Sequence, residues 1–317
     1  MSDPLNSSDN QPDLARQVLD QWLKERRSER WWKIVFRTAT LGTVLFFTVL
    51  YGVGFAVSLG WRAGPSGDVV GVVRIDGEIS AGSLASAERI VPALTRAYES
   101  SNVKAVVLSI DSPGGAPVEA ERIYRAIDAL RAGPVKKPVV AVINNLGASA
   151  AYMIALHTDK IIAGQYSLVG SIGAVLTGWD FSRAISRVDV AQRVYASGNL
   201  KAMLNPFLPM TKDAEAKAQE LVQQMGDQFA QELKSRRGAK LKDGVNYTTG
   251  EIWSGREAKE IAVIDEIGTV DQVIKETWNL KPYNFGPSKP QLPFVGAMVE
   301  WTRGLVAEIA AQSTGLR

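Results

Sequence analysis

The sequence predicts an α/β domain carried behind one membrane-crossing helix. Three observations lead there. Short runs such as VVGVVRI (residues 69–75), VKAVVLSI (103–110) and VVAVIN (139–144) are apolar at almost every position, as strands buried on both faces must be. Longer stretches with helical spacing lie between them, the alternation that yields a parallel sheet covered by helices. The third is the stretch 38–61, which has no Asp, Glu, Lys, Arg or His and is long enough to cross a hydrocarbon core of about 30 Å.

In chain order, residues 1–12 are polar and rich in turn formers and read as a disordered tail. Leu14, Val18, Leu19, Trp22 and Leu23 then recur at helical spacing among Arg and Lys, which predicts an amphipathic helix. The run 38–61 is too long and too far from the start for a cleaved leader, so it reads as a signal anchor. Lys24, Arg26, Arg27, Arg30, Lys33 and Arg37 precede it, whereas only Arg62 follows closely before Asp68. This bias keeps the N-terminus cytoplasmic and exports the rest, and Trp31, Trp32 and Trp61 suit the two interfaces. The expected organisation is a tail at 1–37, an anchor at 38–61, a linker at 62–68, one globular domain at 69–285 and an extension at 286–317.

Within the domain, a strand at 69–75 is followed by a helix at 84–98. A strand at 103–110 ends in Asp111-Ser112-Pro113-Gly114-Gly115 and leads to a helix at 118–131. The strand at 139–144 leads to a helix beginning near Ala148. Shorter strands follow at 160–163 and 171–176, then a helix at 180–188 and a strand at 192–196. A helical pattern spans 211–234, with Thr211 placed as N-cap and Gly238 past its end, and shorter helices are expected at 255–261 and 270–278. Residues 294–311 are apolar at helical spacing but carry Glu300, Arg303 and Glu308, so they predict an amphipathic helix and not a second span.

The chain has 317 residues, 46% hydrophobic and 22% charged, the composition of a globular protein with extra apolar sequence. With no cysteine, disulfides and thiol nucleophiles are excluded, and the stability of an exported domain must come from its core or from assembly. The net charge is +3, and much of the excess positive charge sits in the juxtamembrane cluster from Lys24 to Arg37, where anionic lipid headgroups are a simpler partner than nucleic acid.

The only histidine, His157, lies about 12 Å beyond Ser149 along the expected helix, too far to serve that serine as a base. One histidine and no cysteine also exclude the common zinc sites, and no carboxylate cluster suggests another metal. Gly147-Ala148-Ser149-Ala150-Ala151-Tyr152 follows a buried strand and opens a helix. That context exposes a nucleophile hydroxyl, although Ala151 stands where G-x-S-x-G has its last glycine. The same residues suit a helix cap, and spacing alone leaves both readings standing. The glycines of residues 111–115 suit an oxyanion hole or an ordinary turn. A serine without histidine needs another base, and a lysine serves once it is uncharged, which demands apolar surroundings. Lys201, in an apolar-flanked stretch, fits better than Lys160 or Lys212.

Taken together these residues resemble peptidase family S49, the signal peptide peptidase A type in its short form. The resemblance rests on DSPGG at 111–115, GASAAY at 147–152, VGSIGAV at 169–175 and the lysine stretch at 197–201, in that order. It implies a ClpP/crotonase-like fold of stacked ββα units and a Ser/Lys dyad, with Ser149 as nucleophile and Lys201 as base. Ser171 would orient the lysine amine, and Gly114 with the Gly115 or Ser149 amide would hold the oxyanion. It implies no cofactor, and a homo-octamer in which the lysine of one protomer serves the serine of its neighbour. The substrates would be signal-peptide remnants cut at the bacterial inner membrane, with the catalytic domain periplasmic.

Other readings are a quality-control protease for membrane proteins, a coenzyme A-dependent crotonase-like enzyme and a non-catalytic scaffold. A penicillin-binding enzyme is disfavoured because Ser101-Asn102-Val103-Lys104 precedes a strand and no K-T-G occurs.

Overall fold

The computed structural model describes residues 11–58 and 64–287; the helix expected at 294–311 lies outside them. The first helix, α1 (Gln11–Ser58), is continuous and joins the expected amphipathic segment to the expected span. Its stretch Arg30–Phe55 is long and apolar enough to cross a bilayer, and none of it is buried within the chain. Thr38, Thr40, Thr43 and Thr48 each donate their hydroxyl to the carbonyl one turn back, at 2.7–2.9 Å. Those bonds give each of the four threonine hydroxyls an acceptor within the helix, as an apolar environment would require.

Residues 64–287 belong to a separate compact unit. It opens with β1 (Val69–Asp76), α2 (Ala87–Glu99), β2 (Val103–Ser112), α3 (Pro117–Ala132), β3 (Val139–Ala148) and α4 (Ala150–Ala155). It continues with β4 (Lys160–Ala163), β5 (Leu168–Gly170), α5 (Ser182–Ser186), α6 (Lys212–Arg237), β6 (Ile252–Ser254), α7 (Gly255–Glu260), β7 (Glu266–Ile267), α8 (Val270–Trp278) and β8 (Lys281–Gly286). The strands make one sheet in the order β6-β5-β3-β2-β1-β8, with β4 on β3 and β7 on β4, and every pairing is parallel except β5 with β6.

Alternation along the strands divides the core. Val73, Ile75, Leu108, Ile110, Ala141 and Ile143 face α2, α3 and α4 in the larger cluster. Val70, Val72, Val107 and Val142 face Val273 and Ile274 of α8 in a smaller one. Burying each such side chain contributes roughly 1.5–3 kcal/mol. Gly71 lets α2 approach β1, since a Cβ there would stand 3.1–3.3 Å from Val103, Ala97 and Phe285.

Polar side chains tie the elements at their ends. Thr211, Ser254 and Thr269 cap α6, α7 and α8 by accepting a backbone amide. Ser86 does not cap α2; the buried Glu119 of α3 reaches across to accept from the Ala87 amide at 2.7 Å. That bond, with Arg122 beside it, holds the Glu119 carboxyl below its ordinary pKa against the opposing effect of burial. At the other end of α6, buried Arg237 pairs with Asp265 and donates to the Ala262 carbonyl. Burial would raise the Asp265 pKa, but bonds from Arg237, the Ile161 amide and Lys240 outweigh it and hold it at about 2.

Residues 173–211 depart from expectation. The strands expected at 171–176 and 192–196 do not form, and the helix expected at 180–188 shortens to α5. A strand needs a neighbour to take its backbone groups. This segment projects as an arm, with almost every residue from Val175 to Leu200 exposed.

Candidate active site

Strand β3 ends at Ala148 and α4 starts at Ala150, so Ser149 is the turn between them. Its backbone is left-handed, at φ 52° and ψ −124°, a conformation that a non-glycine residue keeps only when its surroundings enforce it. The enforcement is visible. The Ser149 amide donates to the Gly170 carbonyl at 2.8 Å, and its carbonyl accepts from the Met153 amide at 3.0 Å. Tyr152 anchors α4 from behind through a 2.7 Å bond to the Val263 carbonyl, and its burial pushes the phenol pKa up.

Ser171 repeats the pattern, with φ 52° and its amide on the Glu251 carbonyl at 2.7 Å. Gly170, between the two serine turns, has φ 118° and lies flat against Trp253, where a Cβ would come within 2.7 Å of the ring. The sequence marked Ser171 but not Trp253; a lone tryptophan in a three-residue strand carries no period to reveal it.

Gly114 has φ 96° and packs so closely on the serine turn that a Cβ would lie 2.7 Å from the Ala148 carbonyl oxygen and 2.8 Å from Ser149 Cβ. Its amide donates to Ser112 Oγ at 3.1 Å. Without substrate, the Gly114 amide is thus engaged by a side-chain hydroxyl and the Ser149 amide by the Gly170 carbonyl. The Gly115 amide makes no hydrogen bond among the described residues, and the Ala150 amide is one of those a helix start leaves unpaired. A cavity of about 1030 Å³ is lined by Gly115, Ser149, Ala150 and Ser171, with α6 along one side.

Lys201 is not in that cavity. It lies exposed on the arm, lining a separate hollow of about 630 Å³ with residues 197–200 and Asp213. One chain thus brings Ser149, Ser171 and Gly115 together and leaves Lys201 outside.

His157 is buried and engaged by side chains of α3 and α6. Its Nδ1 lies 2.7 Å from Asp128 Oδ2, its Nε2 lies 3.0 Å from Glu232 Oε1, and its ring stacks on Tyr124. Arg236 bridges both carboxylates.

Residues 132–283 match the family model described as peptidase family S49. An Na(+)/H(+) antiporter NhaA of Brucella melitensis is 36% identical over 218 residues, 66% of this chain and 29% of that protein. The putative protease MJ0651 of Methanocaldococcus jannaschii is 30% identical, over 55% of each chain. A putative signal peptide peptidase SppA of Enterococcus faecium is 29% identical, over 55% of this chain and 50% of its own. The chain spans between about a third and about half the length of these relatives.

Proposed function

We propose that the chain, of which residues 132–283 match peptidase family S49, is a membrane-anchored serine endopeptidase of that family whose site is completed between two copies. Ser149 is the nucleophile. Its Oγ attacks a peptide carbonyl carbon while Lys201 of a second copy takes the hydroxyl proton, and Ser171 orients the lysine amine. The carbonyl oxygen, now an anion, receives the Gly115 and Ala150 amides. The lysine then returns the proton to the leaving amine, and water frees the acyl group by the same route.

The observation that carries the reading is the pairing of an enforced serine turn with a base held outside its cavity. A lysine acts as a base only without its proton, which apolar surroundings favour, so the reading has a second copy's arm carry the exposed Lys201 amine into such surroundings. The arm is built for such contact, with Val175, Trp179, Val188 and Tyr195 exposed. The family resemblance adds an octamer as the assembly. The charge bias around α1 supports a cytoplasmic N-terminus, contacts with anionic lipid and a catalytic domain on the far side of the bacterial inner membrane. Signal-peptide remnants, apolar and left in that membrane, are the substrate class.

The test is complementation. Purified full-length Ser149→Ala and Lys201→Ala are each expected to lose cleavage of an apolar signal-peptide-like substrate, and co-assembly of the two restores part of it. Undiminished turnover by Lys201→Met would overturn the dyad. Two inactive variants that stay inactive after verified mixed assembly would overturn the sharing.

A further inference from the structure

The chain enters its α/β unit at a fixed point. The Pro65 carbonyl accepts from Asn102 Nδ2 at 2.6 Å, and the Val69 amide donates to the Asn102 carbonyl at 2.9 Å. Because β1, β2 and β3 are parallel, this point lies at their N-terminal ends. Ten peptide units link Phe55, where the stretch long enough to cross a bilayer ends, to Pro65, and they reach about 35 Å at most. The loop 133–138, between α3 and β3, is held at the same end. Tyr98 Oη donates to the Val135 carbonyl at 3.0 Å and accepts from the Lys137 amide at 3.2 Å, and Lys137 Nζ donates to the Ser100 carbonyl at 2.6 Å. Val135 is 46% exposed and Lys136 follows it, also exposed. Lys104 and Lys137 each stand two residues before a register pair, Val106 with Val139, so they are neighbours at the strand entries. Burial, and after it the charge of Lys104, lowers the Lys137 pKa. The carboxylates of these segments are Asp68, Glu99 and Asp159. Asp68 pairs with Lys104 at 3.0 Å, Asp159 pairs with Arg131 and accepts the Val139 amide at 2.8 Å, and Glu99 is exposed.

We propose that Val135 with Lys104, Lys136 and Lys137 is a bilayer-docking surface, on which Val135 enters the interface and the lysines meet anionic phospholipid headgroups. The inference rests on the reading of α1 as a membrane anchor. An apolar tip between lysines suits a bilayer, because the valine leaves water while the lysine stems lie along the boundary with their ammonium groups among the headgroups. A loop tied down by three hydrogen bonds loses little freedom on docking. The surface also sets where the chemistry happens. Strand β3 runs from Val139 to Ala148, so at about 3.3 Å per residue Ser149 stands up to about 30 Å from the lysine end, and a peptide has to leave the bilayer to reach it.

The chain has no cysteine, so a single introduced one carries an environment-sensitive fluorophore. Full-length Val135→Cys and Glu78→Cys are labelled and reconstituted in vesicles of phosphatidylcholine, with or without phosphatidylglycerol, and quenched by a nitroxide on the lipid headgroup. Glu78 is exposed and follows the opposite end of β1. In anionic vesicles the Val135 probe is expected to shift to the blue and to be quenched at least about threefold more than in neutral vesicles or than the Glu78 probe. The difference should fade as salt approaches about 1 M, where screening acts within about 3 Å. Lys104→Gln with Lys136→Gln in the Val135→Cys chain should remove at least about half of the quenching. Melting temperatures confirm that the variants fold; Lys136→Gln alone, which gives up only a bond to the Arg131 carbonyl, carries the test if the pair does not. A Val135 probe that stays in water, equal quenching in neutral vesicles, or equal quenching at Glu78 would overturn the surface, as would a blue shift without headgroup quenching, the sign of a protein covering the loop. Failure of the full chain to insert in either vesicle would remove the anchor reading itself.

Discussion

Gly114 shows how a single backbone atom governs the candidate site. Its φ of 96° is strained for any L side chain, and the space a Cβ would need is filled by the Ser149 turn. Gly77 has a similar φ of 83° but open space around it, which separates backbone strain from collision. Gly77→Ala is expected to lower stability by about 1 kcal/mol and leave cleavage unchanged, whereas Gly114→Ala adds a shift of the nucleophile and lowers kcat by about 100-fold or more. Equal effects of the two variants on kcat would contradict this. At the same scale, the placement of Ser149 at a strand-to-helix turn was legible because a buried strand, small residues and a helix start surround it. The commitment of the Gly114 amide to Ser112 was not, since no spacing reveals which way a loop amide points.

The elements most legible in the sequence are those whose pattern is enforced by the core. The strand expected at 160–163 and the helix expected at 270–278 have the observed bounds, and the three long strands differ only at their C-terminal ends. The short β6 and β7 were missed because three and two residues show no alternation, and the arm was misread because extended apolar sequence resembles a strand until its lack of a partner is seen. Helix α6 was legible as a helix, but its attachment was not. It is tied to α3 and α4 through His157, with Asp128, Tyr124 and Arg131 on the α3 side and Glu232 and Arg236 on its own. Burial lowers the His157 pKa more than the neighbouring carboxylates raise it. A histidine with a lowered folded-state pKa lends full stability above its unfolded value of about 6.5, and that stability falls as the folded protein is forced to bury a charge in more acid solution. The melting temperature is therefore expected to drop between pH 7 and pH 5. His157→Gln should start lower by roughly 1 kcal/mol and show a shallower drop over the same interval. Because the chain has one histidine, its imidazole resonance reports the titration without ambiguity. An identical pH slope in the variant would exclude His157 as the cause.

At the scale of the molecule, the arm poses the main physical problem. Trp179, stacked on Phe181, is 79% exposed, and Tyr195 is 90% exposed. Large exposed apolar patches on soluble proteins mark surfaces that another molecule covers. The arm also carries Lys201, so the surface that needs covering and the proposed base, which needs apolar surroundings, lie on one segment. The second copy proposed above would meet both needs at once; the family resemblance implied that sharing, but the exposure of the arm is invisible in a pattern of apolar residues. A charge placed on that surface should separate the copies without disturbing the sheet, since residues 173–211 contribute no strand to it. Tyr195→Asp combined with Trp179→Asp is therefore expected to reduce the particle mass in detergent, measured by light scattering on a sizing column. It should leave the far-ultraviolet circular dichroism near wild type and abolish cleavage even though Ser149 and Lys201 are both intact. A variant that keeps its mass and its activity would show that the arm is not the contact through which one copy serves another.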